Sequence, residues 1–492
     1  VNVGRLRPRL RLRLRWRGAA LAAVIWLVSF AVYGLYFQGQ WVYGERPIIH
    51  ITGDEPHYLL IATSLLRDGD LDMLNNYREK DYQPFYPYHL GDARDPEDMH
   101  ALYGGDGRLY SKHGVGLPLL LLPAMRLGGH GPAIVFMMAV TATLSVQIFL
   151  LAGEVTSRRG AAAVAWAAVA FTSPLLLYSG QVYPEVPGAL LVVWGLRAVL
   201  RATGGAPGEP SAAAALRIGL AAGLLPWLHL RYVPLAAVLG AAGVLALAGR
   251  WRRLTPWLVA PPALCGAALL AFNWHLFGGL PAADEYGTFA VFNLFTGLPG
   301  LLYDQQFGLL VYAPVYLVAL LGLPLVPRRL PGLRGAALLA VPGVYTLFVA
   351  AFSFWYGAYS PPSRMLVPVV PLLVVPFALA LATWRTLAFR AVCGALLLLS
   401  WSIARLLLDV PRLRYNLPTG RSEMLAYLSA VWGRDLTALL PSFVLPAPAG
   451  YAWAVVVTLL IGLLYLALSG GPEPPRLRQR LGHPLSATPG QG

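Results

Sequence analysis

The stretch ITGDEPHYLLIA, residues 51–62, places Asp54, Glu55, His57 and Tyr58 within five positions of one another. These side chains accept protons, donate hydrogen bonds or ligate metals. The stretch PHYLLIATSLLRDG at 56–69 predicts a short amphipathic helix, with Asp54 at its start. A carboxylate there can take the proton of an attacking hydroxyl or amine. The helix start favours its ionised form. The plain alternative is that Asp54 or Thr52 only caps the helix, with Thr52 and Glu55 as a T-x-x-E capping box. Capping does not account for Glu55, His57 and Tyr58 in a chain so poor in charge. His57 and Tyr58 share the Asp54 face by i, i+3 and i, i+4 spacing. They could bind a polar substrate or pack the helix against its neighbours. Asp54, Glu55 and His57 could also hold a divalent ion, although no second cluster reinforces that reading, and no cofactor is expected to be required.

A second group is YSKHGVGLP at 110–118, with Lys112 and His113. Lys112 is one of only two lysines, the other being Lys80. Its amine could grip a phosphate, pair with Asp54, or rest among lipid head groups. Further candidates are spread along the chain: Tyr183 and Glu185 in SGQVYPEVPG, and His229, Arg231 and Tyr232 in WLHLRYVP. Others are Asp304, Gln305 and Gln306 in LYDQQFGLL, Arg364 in SPPSRMLVP, and Arg405. Arginine near lipid depth needs an anionic partner, and its guanidinium binds phosphate through two parallel hydrogen bonds.

These groups must be positioned by a membrane scaffold. Of 492 residues 57% are hydrophobic and 12% charged, against about 25% charged in soluble domains; mean hydropathy is +0.58. Many apolar windows match the ~20 residues that cross a hydrocarbon core, and helices satisfy the backbone there. Twelve spans are predicted, at 19–39, 131–153, 161–179, 184–201, 212–229, 233–249, 256–275, 305–326, 334–354, 365–383, 390–408 and 450–469. The fold class is thus an all-α polytopic membrane protein. The segment 114–128 is apolar but short and broken by proline, which predicts an interfacial or re-entrant piece.

Charge sets the expected orientation. Arg5, Arg7, Arg9, Arg11, Arg13, Arg15 and Arg17 precede the first span, and SRRG, GRWRR, VPRRLPGLR and WRTLAFR recur in alternate turns. Basic residues stay on the cytoplasmic side. Residues 1–18 and 470–492 are therefore expected to be cytoplasmic tails, with no cleavable signal. Residues 40–130 and 409–449 are expected to be outer segments, and 450–469 the last span. The outer segment 40–130 carries thirteen of the 23 acidic residues.

Several classes are excluded. The net charge of +15 resides in these membrane-flanking arginines, which contact anionic lipid and do not describe a nucleic-acid surface. Cys265 and Cys393 lie in predicted spans and form no metal or thiol motif. No glycine-rich nucleotide loop follows a strand, and no inner loop could hold a nucleotide-binding domain.

With its Asp-Glu pair after the first span, the sequence resembles the GT-C superfamily of integral-membrane glycosyltransferases. It is most like the branch of protein O-mannosyltransferases and the aminoarabinose transferase of lipid A. GDEPHYLLIA supplies the acidic pair, SKHGVGLPLL a lysine before a Pro-containing apolar stretch, and SPPSRMLVP an R-[FM]-[LV]-x-P motif. The resemblance spans residues 19–408. It implies a large extracytoplasmic first loop with short membrane-parallel helices and a polyprenyl-phosphate sugar donor. It further implies Asp54 as base or acceptor-orienting group, Glu55 as the second acidic position, and a phosphate role for Arg364. The sequence departs from the family in showing neither a large soluble carboxy-terminal domain nor an inserted one, so the acceptor stays open among lipid, glycan and protein. The expected activity is inverting sugar transfer to a cell-envelope acceptor at the outer face of a bacterial cytoplasmic membrane. The alternatives are a secondary transporter, weakened by polar residues crowding one surface instead of mid-membrane, and a lipid-glycan ligase or polymerase.

Overall fold

In the computed structural model the described residues are 8–35, 51–91, 99–203, 211–248, 251–279 and 287–470. The carboxy-terminal tail and the amino-terminal arginine side chains lie outside them. Among the described residues, seven helices are long and apolar enough to cross a membrane: His130–Val155, Glu185–Thr203, Leu230–Leu247, Arg253–Phe277, Leu333–Ala350, Leu387–Asp409 and Pro448–Ser469. Six shorter apolar helices accompany them, at Gly18–Tyr33, Gly116–Gly128, Arg159–Ala170, Ala212–Leu228, Val291–Tyr303 and Val370–Thr383. The chain is an all-helical, multi-pass membrane protein with a single two-stranded hairpin among the described residues.

Seven of the twelve predicted spans coincide with the long helices, and four more with shorter ones. The predicted span 305–326 is corrected. It breaks into Leu309–Tyr312, Tyr316–Gly322 and Leu325–Arg329. Pro314 and Pro324 stand at the two breaks, where each lacks the N–H that would continue the helix, and Ala313 before Pro314 leaves the helical conformation, with φ −148° and ψ 74°. Gly322 then allows a close crossing, since a Cβ there would lie 2.0 Å from the Pro376 carbonyl oxygen. The apolar piece at 114–128 is a 13-residue helix, Gly116–Gly128, too short to span.

The predicted amphipathic helix is Glu55–Arg67. It does not lie as a half-exposed strip. Glu55, Pro56, His57, Tyr58, Leu59, Leu60, Ile61 and Ala62 are all buried, so the first two turns are enclosed on every side. The Gly116–Gly128 helix packs along it. The segment at 182–183 meets its start, where Glu55 accepts the Val182 N–H. A hairpin follows further along the chain: Ala101–Tyr103 pairs antiparallel with Leu109–Ser111, and Ala101 faces Ser111. The turn between these strands contains Gly104, Gly105, Asp106 and Gly107.

At one end of the bundle Glu154 accepts 2.6 Å bonds from Arg197 and Arg201, on the side that the basic turns assign to the cytoplasm. The orientation has a direct test. In a variant lacking Cys265 and Cys393, a cysteine at exposed position 430 should react with an impermeant maleimide applied to intact cells. Cysteines at exposed positions 158 and 328 should react only after lysis. Reversed access would place Asp54 on the cytoplasmic side. Position 95, expected outside, lies beyond the described residues.

Candidate active site

The turn before the Glu55–Arg67 helix sets the site. Gly53 has φ +62°, and a Cβ there would sit 2.4 Å from the Tyr183 hydroxyl oxygen. Only glycine combines that backbone with that approach. The Tyr183 hydroxyl accepts the Asp54 N–H at 3.3 Å and donates to the Thr52 carbonyl at 3.3 Å. Glu55 returns one oxygen to the Thr52 N–H at 3.2 Å and gives the other to the Val182 N–H at 2.7 Å. This is one half of the capping box, extended into a clamp between two distant segments.

Asp54 holds the N-cap position, yet its side chain makes no capping bond. Its carboxylate instead forms an ion pair with Arg364. Arg364 lies in a 3₁₀ turn, Arg364–Leu366. Its Nε donates to Glu185 at 2.8 Å, its Nη1 to the Gly357 carbonyl at 3.4 Å, and its guanidinium lies 4.4 Å over the Tyr183 ring. Glu185, the first residue of Glu185–Thr203, is completely buried and also pairs with Arg231. Arg231 reaches it from the 3₁₀ turn Leu230–Tyr232, with its guanidinium 5.3 Å from the Tyr232 ring. Four segments thus converge in one chain of alternating charge, Asp54–Arg364–Glu185–Arg231. The two arginines balance the two carboxylates, as burial demands.

Asp54 differs from Glu185, the other carboxylate of this network, and from the neighbouring Glu55. Its side chain keeps 21% of its surface accessible, whereas Glu55 is 1% and Glu185 0% exposed. Burial alone would raise the Asp54 pKa; the Arg364 guanidinium outweighs it, His113 and His100 assist, and the carboxyl lies well below the usual carboxylate range. Burial pushes the Glu55 carboxyl the other way, to about 8, against the Val182 and Thr52 N–H groups. Burial lowers His57, and lowers His113 to about 4 despite the Asp54 charge.

The Glu55 shift has a consequence for stability. The folded protein holds that proton more tightly than the unfolded chain, whose value is about 4.5. Its contribution is therefore complete below 4.5 and lost as pH rises to about 8. His113 acts with opposite sign, but only between about 4 and 6.5. From pH 6.5 to 8 the melting temperature in detergent should fall, and Glu55→Gln should flatten that slope. An unchanged slope in Glu55→Gln would assign the titration to another group.

Several buried polar atoms around this network have no hydrogen-bond partner: Tyr58 Oη, Glu185 Oε2, Arg231 Nε and Tyr345 Oη. Such atoms are rare in folded proteins, where a protein group, an ordered water or a bound polar group satisfies them. Next to the network, Lys112, Ser111 and His113 line a small cleft of about 100 Å³ whose other walls are largely apolar, with Trp227, Leu269, Phe272 and Leu276 among them.

Asp54, Glu55, His57, Tyr58, Lys112, His113, Tyr183, Glu185, Arg231 and Arg364 gather in this region, although they come from stretches far apart in sequence. Three expected residues do not join them. Asp304 accepts the N–H groups of Gln306, Phe307, Phe443 and Val444. Gln305 bonds the carbonyls of Thr437 and Leu440 and the N–H of Ser422. Both hold the 409–449 segment, which needs such partners because its backbone is mostly non-helical. Arg405 pairs with Asp409 one turn along its own helix at 2.7 Å, which satisfies it locally. Arg405→Ala should accordingly leave activity within about twofold and shift stability by less than ~1 kcal/mol, read by turnover and melting temperature. A large loss of donor affinity would bring it back into the site.

Sequence reasoning missed His100, Tyr77 and the necessity of Gly53. His57 Nδ1 lies 2.8 Å from the Tyr77 hydroxyl, and His100 Nδ1 lies 3.2 Å from His113 Nε2. The signal for His100 was indirect. The GGDG turn at 104–107 predicts a hairpin, and a hairpin brings positions 100 and 113 together.

No protein-family model matches the sequence, and no curated protein matches it. Solved structures do match. ArnT from Cupriavidus metallidurans in the apo state aligns with TM-score 0.51 and 16% identity over 92% of this chain and 73% of that one. It is an aminoarabinose transferase of the GT-C superfamily. The chain has the GT-C fold. A second ArnT structure, bound to undecaprenyl phosphate, gives TM-score 0.47 at 16% identity over 93% of this chain and 73% of that one. The Archaeoglobus fulgidus oligosaccharyltransferase in the apo form gives 0.44 at 15% identity, covering 94% of this chain and 62% of its own length. The chain thus spans about three fifths of that enzyme. Within the GT-C fold of the present chain, the ion network sits at the helix that carries the Asp-Glu pair.

Proposed function

We propose that this chain is an inverting glycosyltransferase that moves a sugar from a polyprenyl-phosphate donor to a cell-envelope acceptor at the extracytoplasmic face of a bacterial cytoplasmic membrane. The observation that carries the reading is the pairing of Asp54, the one accessible carboxylate of the network, with the buried Arg364. The GT-C fold supports it, as do the orphaned polar atoms.

The chemistry follows from charge. With Asp54 held by Arg364, its pKa is too low for an effective base. A donor phosphate competes for the same guanidinium. When Arg364 turns to the phosphate, Asp54 loses its counter-ion and its proton affinity rises. Asp54 then accepts the proton of the acceptor hydroxyl or amine as that atom attacks the anomeric carbon. The bond from the anomeric carbon to the phosphate oxygen breaks, and its electron pair leaves with the polyprenyl phosphate. Arg364, with Arg231 and Lys112, stabilises the charge that grows there. One displacement by one base inverts the anomeric centre. Tyr58 and Tyr183 are assigned to holding the sugar or acceptor, and Glu55 to fixing the turn that presents Asp54.

The test is donor cleavage. Purified full-length protein, given a polyprenyl-phosphate sugar and an extract of envelope acceptors, should release polyprenyl phosphate and yield a product of inverted anomeric configuration. Solute movement across liposomes without donor cleavage would favour a transporter.

A further inference from the structure

The hairpin of Ala101–Tyr103 and Leu109–Ser111 brings together three imidazoles. His57 comes from the first turn of the Glu55–Arg67 helix, His100 immediately precedes the first strand, and His113 follows the second. The register fixes the latter two, because Ala101 faces Ser111 and the Lys112 N–H donates to the His100 carbonyl at 2.8 Å. One nitrogen from each ring lies within 4.8 Å of the others. His57 and His100 stack with ring centroids 4.4 Å apart, and His113 sits 5.4 Å from both.

The protonation pattern around His57 is determined by its neighbour. The Tyr77 hydroxyl has one hydrogen, which it donates to the Met99 carbonyl at 2.7 Å. It must therefore accept from His57 Nδ1 at 2.8 Å. That places the His57 proton on Nδ1 and the lone pair on Nε2. A histidine whose outer nitrogen is anchored in this way is the usual arrangement of a metal ligand. His100 Nδ1 and His113 Nε2 face each other at 3.2 Å. His100 also takes φ 49°, a left-handed backbone that costs energy in a residue other than glycine. Strain of this kind is retained where a side chain must be aimed.

We infer that His57, His100 and His113 form a binding site for a zinc-type divalent cation, which fastens the hairpin to the Glu55–Arg67 helix beside Asp54. Three neutral imidazoles are the ligand set of a four-coordinate zinc with one open position. Ligand nitrogens about 2.0–2.1 Å from such an ion stand roughly 3.4 Å apart, so binding draws the three nitrogens in from their spread of up to 4.8 Å and turns the stacked His57 and His100 rings toward the ion. The site is independent of the transferase reading, since it rests on ligand geometry alone.

The experiment uses the full-length protein in detergent with Zn²⁺ or Co²⁺ as the only probe. The parent should retain one equivalent of zinc after gel filtration. Its Co²⁺ adduct should show visible d–d absorption, and X-ray absorption should report imidazole nitrogens. His100→Ala and His113→Ala should weaken binding by at least about 100-fold, and Tyr77→Phe by about tenfold through the lost anchor. His89→Ala and His275→Ala, both at exposed positions, should change nothing. Less than one equivalent in the parent, a Co²⁺ spectrum without imidazole ligation, or unaltered binding in His113→Ala would overturn the site. The parent measurements decide the matter even where a variant does not fold.

Discussion

Asp54→Asn is expected to lower sugar transfer by about 10²–10⁴-fold, the usual value of a positioned general base, while donor affinity stays equal or becomes tighter. The second half of this result is the discriminating one. Asp54 does not cap its helix, so asparagine costs the helix nothing that the native side chain supplied. Arg364 keeps Glu185 at 2.8 Å and the Tyr183 ring at 4.4 Å, so the fold holds. What changes is the charge of the network, which gains one unit of positive charge. If the donor phosphate and Asp54 compete for Arg364, removing the competitor favours the phosphate. A melting temperature matching the parent, a large loss of turnover and an undiminished donor affinity together identify a base that is masked until donor binds. Near-normal turnover would reduce Asp54 to a group that merely orients Arg364.

The candidate site was readable in part because charge is scarce in this chain. With 12% charged residues, each polar cluster carried weight, and Asp54, Glu185, Arg231 and Arg364 all stood out. Their mutual pairing was not readable. It depends on how Glu185–Thr203 and the turns at 230–232 and 364–366 meet, and no periodicity within one segment reports contacts across 310 positions. Hydropathy located the long helices because apolar length is a local property. It joined 305–326 into one span because an apolar run looks the same whether or not Pro314 and Pro324 interrupt its hydrogen bonds. The enclosure of the Glu55–Arg67 helix was likewise hidden. Its polar residues suggested a wet face, whereas His57 and Glu55 are buried and satisfied by Tyr77, Thr52 and Val182. Asp304 and Gln305 had the residue types of a binding site but serve an irregular backbone whose N–H and carbonyl groups required partners.

Arg364→Ala should weaken donor binding by about 1.5–3 kcal/mol, the worth of a charge-assisted hydrogen bond, which is roughly 10- to 150-fold in Kd. The phosphate would lose the one guanidinium that also contacts the accessible Asp54, and Arg231 would remain engaged with Glu185. Turnover should fall as well, since the leaving phosphate loses its stabilising charge. The substitution also breaks two buried ion pairs, and stranding a buried charge costs about 3–5 kcal/mol of stability. Arg364→Lys guards against misreading an unfolded variant. Lysine keeps the charge but lacks the planar fork that lets arginine bridge Asp54, Glu185 and the Gly357 carbonyl together. It should fold, restore part of the donor affinity, and leave turnover below the parent. Titration of a polyprenyl-phosphate sugar against both variants, at matched melting behaviour, gives the answer. Parent-like affinity in Arg364→Lys and Arg364→Ala alike would move the phosphate to Lys112 and the cleft beside it, and would leave Arg364 as the counter-ion that keeps Asp54 and Glu185 in place.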